Sequence, residues 1–120
     1  MARVRVALRH RAAASAVVEE QRLVCGDVLV DVAAHQVLVG GRALELQAQQ
    51  FSLLALLVRN EGLVVTYANL VRALWSDQQP ARHLDALRIA VSKLRKDLGS
   101  GPERPVIETA ARVGYRLVAP

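Results

Sequence analysis

The spacing of apolar residues changes along the chain and predicts segments of different secondary structure. Between residues 22 and 46, short apolar runs are separated by turn residues, and Val37 and Val39 occupy alternate positions. That alternation is typical of a strand with one buried face. Gly40 and Gly41 lie between two such runs and favour a tight hairpin turn. We therefore predict a small antiparallel sheet of three or four strands.

Apolar residues then recur every three or four positions, which is the spacing of a buried helix face. The predicted helices cover residues 47–60, 67–75 and about 82–98. Gly62 is expected to end the first helix in a left-handed conformation, and Thr66 to cap the second. A hairpin follows over residues 106–118, with Gly114 in its turn. This order predicts an α+β fold, a winged helix-turn-helix with an N-terminal antiparallel sheet, a three-helix bundle and a C-terminal β-hairpin wing.

Composition indicates one domain with an aliphatic core. The 120 residues are 52% hydrophobic but only 3% aromatic, which suffices for a single core. Residues 1–21 are Arg- and Ala-rich with no partner to pack against, so we predict a flexible linker before a domain at 22–120. No apolar run approaches the ~18 residues of a membrane span, and the first residues lack the apolar stretch of a secretory signal. We expect a cytoplasmic protein without a membrane partner.

Few side chains offer catalytic or metal-binding chemistry. Cys25 is the only cysteine, which excludes an intramolecular disulfide and a Cys-based zinc site, and its predicted strand suggests a core position. The histidines at 10, 35 and 83 are too far apart to suggest a local metal motif. No Ser/His/Asp set, carboxylate pair or phosphate loop stands out. We therefore predict that the protein is not an enzyme and uses no cofactor or metal.

Positive charge concentrates in the predicted third helix. The whole chain carries a net charge of +5, and residues 82–96 alone hold five cations against Asp85, a net +4. The apolar residues of this helix lie on one stripe: Leu84, Leu87, Val91, Leu94 and Leu98. The opposite side holds Arg82, Asp85, Ile89, Ser92, Lys93 and Lys96, with Arg88 and Arg95 at its margins. Such a cluster is either an ordinary solvated face or a surface for a polyanion.

Ile89 on the charged side is unusual, although single exposed apolar residues are common. The functional alternative is contact with a thymine methyl in a major groove, with Lys93, Arg88 and Ser92 reaching base edges or phosphates. A winged helix that binds another protein would instead predict an apolar or acidic face. Arg112 in the hairpin turn is placed to reach a phosphate or minor groove, or only to solvate the turn.

Four motifs in a fixed order point to a known family. They are Phe51-x-Leu-Leu-x-Leu-Leu-Val-Arg-Asn-x-Gly, Val64-Val65-Thr66, Leu94-Arg95-Lys96-x-Leu98 and Val113-Gly114-Tyr115-Arg116-Leu117. With them, residues 22–120 resemble the DNA-binding effector domain of OmpR/PhoB-type response regulators. Leu87-Arg88-Ile89 and Arg5-Val6-Ala7-Leu8-Arg9 look most similar to Kdp-type potassium regulators.

The resemblance implies sequence-specific binding of double-stranded DNA by the effector domain of a two-component regulator of transcription. A one-component regulator remains an alternative. The predicted DNA-binding residues are Thr66, Tyr67, Arg82, His83, Arg88, Ile89, Ser92, Lys93, Arg95, Lys96, Arg112 and Tyr115. The loop implied to contact an RNA polymerase subunit contains Ser76, Asp77, Gln78 and Gln79.

The resemblance also bears on assembly. Such regulators bind tandem half-sites and carry a receiver domain, so a homodimer is expected for a full-length regulator and a monomer for the isolated domain. Residues 1–21 resemble the end of a receiver's last helix, and we expect this chain to be a piece of a longer regulator.

Several positions depart from the family pattern. The first helix begins Gln47-Ala48-Gln49-Gln50, where the family has Thr/Ser-Pro-x-Glu. Losing the hydroxyl cap costs about 1 kcal/mol, although Gln50 is placed to serve in a capping box. In the wing, Ala111 and Arg112 stand where the family has Arg and Gly, which removes the basis for predicting minor-groove reading by the wing.

Overall fold

A computed structural model describes residues 22–76 and 79–120. In it a four-stranded sheet is followed by three helices and a three-stranded sheet. The strands are β1 (Arg22–Cys25), β2 (Val28–Asp31), β3 (Gln36–Val39), β4 (Arg42–Leu44), β5 (Val64–Thr66), β6 (Val106–Ala110) and β7 (Gly114–Val118). The helices are α1 (Ala48–Arg59), α2 (Tyr67–Trp75) and α3 (Leu84–Leu98), with a 3-10 turn at Pro80–His83 before α3. The predicted α+β winged helix-turn-helix is confirmed.

The N-terminal sheet is an antiparallel meander in the order β1-β2-β3-β4. Each strand follows its neighbour through a short turn, and Gly40 and Gly41 form the β3–β4 turn as predicted, both with positive φ. Alternate residues point inward, so that Val28, Val30 and Val37 are at most 1% exposed. The alternation of apolar residues therefore produces a sheet with one face against the helices.

Helix α1 is the central helix of the core. Seven of its 12 residues are buried: Gln50, Phe51, Leu53, Leu54, Ala55, Leu57 and Val58. The predicted capping box is wrong, because the side chain of Gln47 makes no capping hydrogen bond and Gln50 is buried with Oε1 unpartnered among the described residues. The chain reverses at Gly62, whose φ of +83° confirms the predicted left-handed conformation.

Helix α2 begins at a conventional cap. Thr66 Oγ1 accepts a hydrogen bond from the Asn69 amide at 3.2 Å, as predicted. Helix α3 begins later than predicted, at Leu84 instead of residue 82. Arg82 and His83 belong to the 3-10 turn, which begins at Pro80. Proline suits the first position of a helical turn, because an N–H group there would have no partner within the turn.

The second sheet has the order β5-β7-β6, so that β7 pairs with a strand on each side. The β6–β7 hairpin is called the wing below. Gly114 was predicted to lie in the wing turn, but it is the first residue of β7. A Cβ at this position would lie 1.9 Å from the carbonyl oxygen of Val65. Only glycine therefore allows the wing to approach β5 this closely.

An ion pair joins the β1–β2 turn to the loop between α3 and β6. Arg104 donates to both carboxylate oxygens of Asp27, with Nε–Oδ1 at 2.7 Å and Nη2–Oδ2 at 3.0 Å, and its Nη1 donates to the Leu98 carbonyl. The Asp27 amide donates to Glu103 O at 2.9 Å. A Cβ on Gly26 would lie 2.3 Å from that carbonyl, so a side chain there would prevent the contact.

Among the described residues, no helix is long and apolar enough to cross a membrane.

Candidate nucleic-acid interface

Helix α3 has an apolar side and a basic side. On the apolar side Leu87 and Leu94 are fully buried, as the periodicity predicted. On the opposite side Ile89 is 68% exposed. The exposed residues Arg88, Ile89, Ser92, Lys93 and Lys96 are called the basic face below.

The basic face carries three cations with few competing anions. Arg88 Nη1 lies 3.2 Å from Asp85 Oδ1, but both side chains are largely exposed. Such a pair contributes little free energy, so Arg88 remains available to another anion. Within the described part of the chain, no salt bridge joins Lys93 or Lys96 to a carboxylate. The face therefore presents positive charge to solvent around the apolar Ile89.

The turn before α3 holds His83 against an aromatic ring. The His83 and Trp75 rings stack with centroids 4.9 Å apart and an interplanar angle of 17°, and both residues are half-buried. His83 is thus packed at the α2–α3 junction instead of standing on the helix face. Arg82 in the same turn is exposed, beside the first turn of α3.

The wing turn lies next to the start of α2. The Tyr67 amide donates to Val113 O at 3.0 Å, which fixes the wing tip beside the capped end of α2. Arg112 is exposed in the turn as predicted, and its φ of +67° is in the left-handed region. That conformation costs a non-glycine residue roughly 1–2 kcal/mol. Arg112 thus occupies, under strain, the position where the family pattern has glycine.

Arg95 is held against the wing. Its Nε and Nη2 donate to Ile107 O at 3.1 and 2.9 Å, and Nη2 also donates to Thr109 Oγ1 at 3.0 Å. Its guanidinium carbon lies 5.9 Å from the Tyr115 ring centroid. Arg95, one of the predicted DNA-binding residues, is therefore hydrogen-bonded to the wing while the residue itself remains exposed.

Two predicted contact residues are largely removed from the surface. Tyr115 is 5% exposed, and its ring meets Tyr67 edge-on with centroids 5.7 Å apart. Burial is the main cause of the raised pKa of Tyr115. The inward face of β7 places the Tyr115 ring in the core, and its assignment as a DNA contact stays a prediction. Tyr67 is half-buried and retains some exposed surface, and Thr66 is exposed.

The predicted polymerase loop is only partly described. Ser76 ends α2 with a φ of +54°, and both Ser76 and Gln79 are exposed. Asp77, Gln78 and residues 1–21 lie outside the described residues, and the roles predicted for them stay predictions.

Catalytic and metal-binding chemistry has little support in the side-chain positions. No group of three or more His, Cys, Asp or Glu residues within the described ranges is arranged to hold a metal ion. Cys25 is buried, and that burial together with the nearby Glu61 raises its pKa to about 12. Its thiol is therefore protonated at neutral pH, a poor state for a nucleophile.

Comparison with known proteins identifies the family. Residues 41–117 match the family described as "Transcriptional regulatory protein, C terminal". The chain belongs to this family, the OmpR/PhoB type. Among its relatives is KdpE, the KDP operon transcriptional regulatory protein of Escherichia coli strain K12, which is 36% identical over 120 residues. That match covers 98% of this chain and 51% of KdpE, so the chain spans about half the length of this curated relative.

Solved structures agree with the OmpR/PhoB-type assignment. The DNA-binding domain of CpxR from E. coli has a TM-score of 0.73 at 26% identity, covering 82% of this chain and 96% of that one. The Thermotoga maritima response regulator DrrB, described as an OmpR/PhoB homolog, has a TM-score of 0.71 at 26% identity, covering 92% of this chain and 52% of DrrB. The family resemblance seen in the motifs is confirmed.

Sequence reasoning missed the partners of Arg95. Thr109 and the Ile107 carbonyl lie in a strand more than ten residues away along the chain, and no local sequence pattern predicts that contact. The only available signal was the position of Arg95 at the margin of the apolar stripe.

Proposed function

We propose that this OmpR/PhoB-type domain binds double-stranded DNA sequence-specifically, with α3 in the major groove and the wing beside it. The observation that carries the proposal is the basic face, which exposes three cations, a hydroxyl and Ile89 opposite the buried stripe. A major groove admits one α-helix and presents distinct donors, acceptors and thymine methyls. The description of CpxR as a DNA-binding domain supports the same role.

The residues of the basic face would divide the work of binding. Ile89 and Lys93 lie on the side opposite the buried stripe, so they are assigned to base edges. Lys96 lies farther along the helix and is assigned to a phosphate. Phosphate contacts fix register without discriminating sequence, whereas base contacts discriminate. Arg88 and Ser92 complete the set, with Arg82 and Arg112 flanking it.

The wider protein is proposed to be a non-enzymatic two-component regulator of transcription in the bacterial cytoplasm. KdpE is named a transcriptional regulatory protein and DrrB a response regulator, and each is about twice the length of this chain's match. A homodimer of the full-length regulator on tandem half-sites, and contact of the Ser76–Gln79 loop with RNA polymerase, belong to the same proposal.

The decisive experiment selects binding sites from random duplex DNA and then measures affinity by fluorescence anisotropy at several salt concentrations. If about four to six phosphates are neutralised, log K against log salt should have a slope of about −4 to −5. No enriched sequence together with a flat salt dependence would refute the proposal.

The two lysines of the chain form a matched pair of variants. Lys93→Ala should cost about 1–3 kcal/mol on the selected site and much less on scrambled DNA. Lys96→Ala should weaken both duplexes alike and reduce the salt slope by about 1. Arg42→Ala removes one exposed charge from the N-terminal sheet and is the control. Equal losses on both duplexes for Lys93→Ala would show that Lys93 is not a base contact and would favour Arg88 with Ser92.

A further inference from the structure

Strand β6 is an edge strand, and Arg95 satisfies its outer side. The sheet order β5-β7-β6 leaves β6 with β7 as its only strand neighbour in the described sheet. Edge strands expose carbonyls that have no ladder partner. Two nitrogens of Arg95 converge on the Ile107 carbonyl, and a third bond reaches Thr109 Oγ1, at 2.9 to 3.1 Å.

This contact occupies most of the hydrogen-bonding capacity of Arg95. A guanidinium has five N–H donors in a fixed fork, and these three bonds engage the donors of Nε and Nη2. Tyr115, paired with Thr109 across the wing, lies under the same guanidinium at 5.9 Å. The fork therefore joins α3 to both strands of the wing.

We infer that Arg95 is a positioning residue that fixes the wing against α3, and that it does not supply one of the phosphate-neutralising charges. The inference rests on the proposed function, since the wing and the basic face must have a set relative position to engage one duplex together. It differs from the expectation drawn from sequence, in which Arg95 contacts DNA directly.

Three variants separate the two roles. Arg95→Met removes charge and fork but keeps much of the apolar stem. Arg95→Lys keeps the charge and loses the fork. Thr109→Val changes no charge and removes one acceptor with little change of shape. Lys96→Met, one residue along the helix, is the matched control for loss of a cation without loss of a wing contact.

The first measurement is amide hydrogen exchange of residues 107–110 and 114–117 in the free chain. Arg95→Met and Arg95→Lys should speed exchange of these amides, and Thr109→Val should speed it by about 2- to 10-fold, the effect of one net hydrogen bond. Lys96→Met should leave it unchanged. Unchanged exchange in all three test variants would overturn the inference, whether or not the chain binds DNA.

The second measurement is DNA affinity against salt. Arg95→Met and Arg95→Lys should both weaken binding while the salt slope stays within about 0.5 of the wild-type value, whereas Lys96→Met should reduce it by about 1. Restored affinity in Arg95→Lys, with a slope reduced by about 1 in Arg95→Met, would show a phosphate contact and refute the inference. A wild-type chain that binds no DNA, with wing exchange responding as expected, would refute the proposed function and leave the positioning role intact.

Discussion

Leu94 and Ile89 lie on opposite sides of α3 and should separate stability from DNA recognition. Leu94 has no exposed surface and Ile89 is 68% exposed. Truncating a buried leucine removes its transfer free energy and leaves a cavity, so Leu94→Ala should cost about 3–5 kcal/mol. At about 4–8 °C per kcal/mol for a domain of this size, the melting temperature should fall by more than about 10 °C.

Ile89→Ala should have almost no effect on stability. Its side chain is mostly in water already, and surface substitutions usually stay within about 0.5 kcal/mol. Alanine also has the higher helix propensity, which offsets the small loss of contact. On DNA the outcome should reverse, because Ile89→Ala removes the proposed apolar contact with a thymine methyl and so lowers affinity for the selected site.

Urea and thermal unfolding followed by far-UV circular dichroism measure the change in stability. Fluorescence anisotropy on selected and scrambled duplexes, at a temperature where each variant is folded, measures the change in DNA affinity. Leu94→Ala should keep its ratio of specific to non-specific affinity, whereas Ile89→Ala should lose part of it. A comparable loss of stability in the two variants, or a specificity ratio changed only by Leu94→Ala, would refute the assignment of the two faces.

Three further predictions concern other parts of the fold. The Arg104 hydrogen bonds lower the pKa of Asp27 below its usual 3.8, so the ion pair stabilises the fold above that pH, and this stabilisation is lost as the pH falls through the lower pKa of the folded state. Asp27→Asn should therefore reduce the loss of the urea midpoint at acid pH. An unaltered pH profile in this variant would contradict the prediction. Because the pKa of Cys25 rises to about 12, iodoacetamide should label the native thiol at neutral pH far more slowly than the urea-unfolded thiol, and equal rates would exclude a protected site. Trp75 is half-buried against His83. Trp75→Ala should therefore lower the free energy of unfolding, measured by thermal unfolding, by less than the ~3–5 kcal/mol expected for a fully buried tryptophan. Loss of DNA binding at unchanged stability would contradict a structural role for Trp75.

The sequence predicts the elements of this fold better than it predicts their junctions. Alternation and helical spacing report burial directly, which is why the sheet, three helices and wing appear where expected. The 3-10 turn at Pro80–His83 was not predicted because Arg82 and His83 are compatible with a helix, and their local sequence does not report the packing of His83 on Trp75.

The candidate interface was predictable only where local geometry determines exposure. The angular position of Ile89 and Lys93 on a helix follows from sequence alone, and both are exposed. Tyr115 and Arg95 required knowledge of long-range packing. Tyr115 lies on the inner face of β7, and the bonds of Arg95 depend on where the edge of β6 lies relative to α3.

The strand order of the second sheet affects how the domain can assemble during synthesis. The N-terminal meander uses only neighbouring strands and can pair soon after β4 is made, whereas β5 must wait for β7, since β7 lies between β5 and β6. Contacts between distant parts of a chain form slowly. The nascent chain therefore carries α1, α2 and α3 before the sheet that borders them is complete. A stalled or prematurely terminated product would lack β7, the central strand of that sheet, and its β5 and β6 would have unpaired edges open to other chains.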